Sequence, residues 1–190
     1  LARLYLLPNE YGRIFRAGIV ANPQNPLASI LYVISRDSAG KLSQSPDVLK
    51  QNISKYLNEF RMISDAIDIL DAQVINYRVN LSIVTAPNVN KFDVTKKVLS
   101  ELKKIFRLER SQIDSPIVES DIINAVINVN GVLSLIELKL NSLSGNVNGR
   151  EYSEQQIDFD GIKNNGIYFP PSGGIFELRY PNEDIVITVR

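Results

Sequence analysis

The most constraining feature of this chain is an eleven-residue alternation from Val74 to Val84. Ile75, Tyr77, Val79, Leu81 and Ile83 occupy its odd positions, and Asn76, Arg78, Asn80 and Ser82 its even ones. A strict period of two over that length specifies a β-strand with one face on a core and the other facing water. Ala86-Pro87-Asn88 ends it, because proline cannot donate to a ladder and asparagine favours turns. A strand of this kind must be covered, and the next residues supply the cover.

Two amphipathic helices are expected there. The first runs from about Asn90 to Phe106, with Phe92, Thr95, Val98, Leu99, Leu102, Ile105 and Phe106 at three- and four-residue steps. Lys96, Lys97, Glu101, Lys103 and Lys104 lie off that stripe, as on the solvated face of a surface helix, though a basic nucleic-acid patch would use the same residues. The second starts after Pro116, with Ser120 or Asp121 able to cap its first turn. Its apolar set is Ile122, Ile123, Val126, Ile127 and Val129, and Asn130-Gly131 stops it, with the glycine suited to a left-handed position. A strand from Val132 to Leu140 closes the unit. Val132, Ile136, Leu138 and Leu140 alternate to one side; Leu133, Leu135, Glu137 and Lys139 fall on the other. Leu133 and Leu135 are therefore apolar residues on the charged face, expected either to pack under a neighbouring segment or to form a subunit contact.

Before this unit the chain reads as β. Leu4, Leu6, Arg13 to Ala21 and Leu27 to Arg36 are strand material, with turns at Pro8 to Gly12 and a proline-flanked loop at 22–26. Ser45-Pro46-Asp47 starts a helix carrying Val48, Leu49, Ile53, Tyr56, Leu57 and Phe60, which ends near Arg61. After the unit, Leu143 to Arg150 is a Ser/Gly/Asn loop. Short strands follow at Glu151 to Phe159, at Gly166 to Phe169, and at Ile175 to Tyr180. The last of these is expected to form a hairpin with Ile185 to Val189 across Pro181-Asn182-Glu183-Asp184. The fold class is α/β in the α+β sense: small mixed sheets with two or three amphipathic helices, flanked by β-rich segments at both ends. The expected organisation is a β-rich segment over 1–44 that finishes an upstream domain, an α/β core domain over 45–143, and a β-rich segment over 144–190. The opening at Leu1, directly in strand-like LARLYLL, is that of a piece of a longer polypeptide.

The chemistry available is narrow. The 190 residues contain neither cysteine nor histidine, so thiol nucleophiles, imidazole bases, disulfides and Cys/His zinc sites are excluded. Lysine plus arginine equals aspartate plus glutamate at 21 each, so no global field draws the chain to nucleic acid or an anionic membrane. No apolar run approaches a membrane span, and no cofactor motif is present. Ala39-Gly40-Lys41 fails as a phosphate loop because Ser35 and Leu42 stand where glycine and Ser/Thr are required. Asp65, Asp68 and Asp71 recur every three residues; they are oxygen donors for a hard cation, or the acidic edges of a short strand. Asp158-Phe159-Asp160-Gly161 begins like a calcium loop, but Phe169 occupies the twelfth position. The sequons at Asn52 and Asn80 fall in a helix and a strand.

Three segments carry a family likeness: YLNEFRMISDAIDILDAQVINYRVNLSI (Tyr56 to Ile83), VNKFDVTKKVLSELKKIF (Val89 to Phe106) and IVESDIINAVINVNGVLSLIEL (Ile117 to Leu138). The opening LLPNEYGRIFRAGIV and the ending IFELRYPNEDIV suit it too. The chain resembles the carboxy-terminal part of contractile-tail phage baseplate proteins of the baseplate J-like family, in particular the wedge subunits of T-even-type myoviruses. The resemblance implies a non-enzymatic structural subunit of the virion tail, assembled in the host cytoplasm. It implies no cofactor and no metal. The partners it implies are a second copy of the chain and other wedge proteins, with neither nucleic acid nor membrane. On this reading Leu133 and Leu135 are interface residues and no residue is catalytic. The competing readings are a tail-associated glycosidase using Asp65, Asp68, Asp71, Asp158 or Asp160, and a weak nucleic-acid module using the lysine-bearing helix.

Overall fold

The computed structural model describes residues 12–25, 27–59 and 66–190. The strands expected at Leu4 and Leu6, the turn at Pro8 to Tyr11, and the roles given to Phe60, Arg61 and Asp65 lie outside the described residues. The chain forms two compact units, one of residues 1–74, 112–114 and 171–175, the other of residues 75–111, 115–170 and 176–190. The class is α+β, with small mixed sheets and three α-helices among the described residues.

In the first unit, β1 (Arg16–Ala21) pairs antiparallel with β2 (Ala28–Arg36), which also takes the two-residue β3 (Leu42–Ser43) antiparallel and β4 (Ala66–Asp71) parallel. Helix α1 (Asp47–Asn58) buries Leu49 and Ile53 against Ala17, Leu31 and Val33. Pro46 rather than Ser45 takes its N-cap position, without a side-chain cap; the Ser45 hydroxyl is instead held by Ser35 at 2.9 Å. Val48, assigned to the apolar stripe, faces solvent.

The second unit is built on β5 (Gln73–Thr85), whose odd residues Ile75, Tyr77, Val79, Leu81 and Ile83 are all buried, as the alternation requires. Over them lie α2 (Lys91–Ile105), contributing Val94, Val98 and Leu102, and, beyond the short strand β6 (Ile117–Val118), α3 (Glu119–Ile127), contributing Ile122 and Val126. Each such side chain stabilises the fold by about 2 kcal/mol relative to exposure. Asn90 caps α2 by accepting the Phe92 N–H at 2.9 Å. Phe92 departs from its expected place: it is 63% exposed, beneath the Lys96 ammonium, and Val94 takes the buried position. Tyr77 anchors a ring cluster with Phe106, Phe159 and Phe176, at centroid separations of 5.8 to 5.9 Å.

Helix α3 has no side-chain cap from Ser120 or Asp121, and Val118 stands at its N-cap position. It ends at Ile127, before Asn130-Gly131. Gly131 serves the following turn instead: Val132 N–H donates to Val129 O at 3.1 Å, and Gly131 has φ of +102°. The chain then enters β7 (Val132–Leu143), antiparallel to β5.

The carboxy-terminal third differs most from expectation. In place of a strand over 151–159 there is only β9 (Arg150–Glu151), paired with β8 (Asn146–Val147). Beyond these, β10 (Lys163–Asn164) and β11 (Ile167–Tyr168) form a small antiparallel sheet with β6. The expected terminal hairpin is also absent. Strands β12 (Gly174–Glu177) and β13 (Ile185–Val189) both pair with β5, the latter parallel to it, and the turn at 181–184 merely carries the chain from one to the other.

A Cβ on Gly131 would lie 2.7 Å from Val94 Cγ2, on a backbone that L-residues rarely adopt. Gly131→Ala is expected to destabilise the protein by about 2 to 3 kcal/mol, read as a lower midpoint in urea unfolding; an unchanged midpoint contradicts this role for the turn.

Candidate functional site

Two features of the second unit bear on function: the polar side of β5 and the edge formed by β7. The polar side is less wet than its alternation suggests, since Asn76 and Ser82 are buried. A buried amide must be paired, and Asn76 is. Its Nδ2 donates to Glu177 Oε2 at 2.9 Å and to Glu177 O at 3.2 Å, and its Oδ1 accepts Ser153 N–H at 2.7 Å. Arg179 closes on the same Glu177 oxygen at 3.0 Å. A second knot forms at Asp184, which is fully buried. Its Oδ1 accepts the Tyr152 hydroxyl at 2.7 Å, its Oδ2 accepts Tyr180 N–H at 2.9 Å, and its backbone oxygen accepts Val79 N–H at 2.7 Å. Arg78 stands 3.8 Å from the carboxylate.

These contacts set the titration of the knot. Burial holds Asp184 above the usual carboxylate range, opposed by the hydrogen bonds from Tyr152 and Tyr180 and by the charges of Arg78 and Arg150. The Tyr152 hydroxyl is pushed up to about 12, first by burial and then by its bond to Asp184 and that group's charge. Burial raises Tyr77 as well, with the charge of Glu177 adding to it. They tie the segment 152–184 to β5. Sequence patterns do not reveal them, because Tyr152 and Asp184 stand 32 positions apart and Asn76 and Glu177 stand 101 apart.

The β7 edge is where the structure revises the sequence reading. Val79, Leu81, Ile83 and Thr85 of β5 face Leu140, Leu138, Leu135 and Val132 of β7, with register shifts that leave Ile136 and Leu133 unopposed. Each is the extra residue of a β-bulge. A bulge inverts the facing of everything beyond it, so the simple alternation fails there. Leu135, assigned to the charged face, packs against the core. Ile136, assigned to the core face, is 49% exposed, and Leu133 is 61% exposed. The structure thus separates the two expected interface residues and brings Ile136 out beside Leu133. Glu137 and Lys139 remain on the outer face, and Ser134, which the alternation puts on the core side with Ile136, is exposed as well.

Of the candidate acids among the described residues, Asp68 and Asp71 fall in the first unit and Asp158 and Asp160 in the second. Asp68 and Asp71 lie on a strand, where three-residue spacing sends them to opposite faces. Asp68 meets Asn22, while Asp71 accepts Ser45 N–H at 3.0 Å and pairs with Lys50 at 2.8 Å. Asp158 and Asp160 come to one open groove of about 560 Å³, shared with Lys139, Asn141, Ser142 and Gln156. Asp158 Oδ1 is engaged there by Asp160 N–H at 3.1 Å, an Asx turn that shapes the loop. Among the described residues no three acidic side chains gather closely enough to hold a metal ion, and no helix is long and apolar enough to cross a membrane. The lysines of α2 are interleaved with acids, Lys104 pairing with Glu101 at 2.6 Å, and Lys103 reaches the Asn182 side chain.

No protein-family model matches this chain, and no curated protein sequence does. Among solved structures the chain is similar to one from the baseplate of the anti-feeding prophage, determined by cryo-electron microscopy with six-fold symmetry imposed. Identity is 10% and the TM-score 0.48, over 99% of this chain and 35% of that one. This chain therefore spans about a third of the length of the chain it matches.

The Asp184 knot can be tested by substitution and by pH. Asp184→Ala strands the Tyr152 hydroxyl and the Tyr180 N–H inside the fold and is expected to cost about 3 kcal/mol, measured by urea unfolding; a loss below about 1 kcal/mol means the knot is dispensable. The alkaline limb follows from linkage. Tyr152 and Tyr77 both ionise later in the folded chain than near the ordinary value of 10, so their contribution is complete below pH 10 and is lost as pH rises, for Tyr152 through about 12. Tyr152→Phe is expected to flatten the fall in stability over that window relative to the parent, leaving the part due to Tyr77; an unaltered slope contradicts the assignment.

Proposed function

We propose that this chain is a structural subunit of a contractile-tail phage baseplate that acts through contacts with neighbouring proteins and catalyses no reaction. The supporting observation is the likeness of the segments Tyr56 to Ile83, Val89 to Phe106 and Ile117 to Leu138 to the baseplate J-like family. Within that family the likeness is to the wedge subunit of T-even-type myoviruses, the product of their gene six. The fold is consistent with such a role. Its most deeply buried polar groups are engaged within the fold, Asn76 with Glu177, and Asp184 with the Tyr152 hydroxyl and Tyr180 N–H. Two of its exposed apolar side chains, Leu133 and Ile136, lie together on one strand, β7. On this reading the chain meets a second copy of itself and other wedge proteins, within a particle assembled in the host cytoplasm, and touches neither nucleic acid nor membrane. Immuno-electron microscopy tests it: antibody raised against the chain is expected to decorate the tip of the tail, and decoration of the head, or of no particle, rejects the proposal.

A further inference from the structure

Among the described residues β7 pairs with β5 alone, so its other edge carries no strand. The ladder fixes which backbone groups face that edge. Val79 N–H donates to Asp184 O, and Ile83 O accepts Arg190 N–H, so the odd residues of β5 turn their backbone groups toward the β13 side and the even residues toward β7. Asn80 and Ser82 stand opposite Lys139 and Glu137. These are the hydrogen-bonded pairs of the ladder. The N–H and C=O of Leu138, between them, therefore point to the open edge.

The charges around Leu138 are self-complementary. Glu137 precedes it and Lys139 follows it, both exposed on the outer face. We propose that β7 pairs antiparallel with β7 of a second copy of this chain about a two-fold axis at Leu138. Such an axis makes Leu138 exchange both backbone hydrogen bonds with Leu138 of the second copy. It sets Glu137 against Lys139 of the second copy and Lys139 against Glu137 of the second copy, at the positions of an antiparallel ladder where side chains approach most closely. The bulged residues then find a place. Continuing the register, Ile136 and Leu133 of one copy run alongside residues 140–143 of the other, where the groove between Asn141, Ser142 and Gln156 lies open. The edge β13 offers no comparable pattern, since Ile185–Val189 contains no charge.

This inference deepens the baseplate reading by naming the surface through which copies meet, and charge reversal separates the two. Sedimentation equilibrium of the whole chain, from micromolar to millimolar, is expected to show a dimer. Glu137→Lys and Lys139→Glu each put like charges across both symmetric pairs and are expected to weaken it at least about tenfold. The double variant E137K/K139E restores opposite charges and is expected to recover parental affinity, with circular dichroism unchanged throughout because both side chains are exposed. A chain monomeric at all concentrations overturns the pairing, as does a dimer indifferent to both single reversals; the latter leaves the baseplate reading standing. A dimer that follows the charges while antibody fails to mark tail tips rejects the baseplate reading and keeps the strand pairing.

Discussion

The second unit depends on β5 having two unlike faces that are both occupied. One face is satisfied by hydrophobic burial, since α2 and α3 lay Val94, Val98, Leu102, Ile122 and Val126 over its odd residues. On the other, hydrogen bonds with fixed geometry hold the segment 152–184, because a buried amide at Asn76 and a buried carboxylate at Asp184 tolerate few arrangements. Non-directional burial would let the segment 150–184 collapse onto the sheet in many ways. The Asn76–Glu177 and Tyr152–Asp184 bonds select one of them. The polar groups thus contribute more to uniqueness than to net stability, which the apolar face supplies.

What could be read from the sequence is what depends on neighbours in the chain. The alternation of β5, the start of α2 near Asn90 and the turn at Ala86-Pro87-Asn88 appear at or near their expected places, because each is decided within a few residues. The failures share one cause. Residues 152–159 carry apolar side chains at Tyr152, Ile157 and Phe159, and their spacing invites a strand. In the fold, Ser153 N–H finds Asn76 Oδ1 and Ile157 N–H finds Ser142 Oγ at 3.2 Å, so distant side chains take the place of a strand partner. The predicted hairpin fails for a related reason: Asp184 binds the backbone of Val79 and delivers β13 to β5.

The edge surface was half legible. Leu133 stands out in the sequence as an apolar residue among charges and is exposed in the fold. Ile136 and Leu135 exchange expected roles because no local signal announces a bulge; it arises from the fit of β7 against β5. The acids of β4 show the opposite case, a regular spacing with no site behind it. Asp68 and Asp71 are three apart on an element of period two, so the strand scatters them to both faces and each finds its own partner.

The inward residues of β7 are Val132, Leu135, Leu138 and Leu140, at steps of three, three and two. Two residues have in effect been threaded into a ladder that closes without them. Whatever stands at 133 or 136 has no opposing residue in the β5–β7 ladder, so both positions are free to change with the surroundings while the register on either side holds. A rigid strand has thereby acquired the freedom ordinarily confined to loops, at two points on its outer rim.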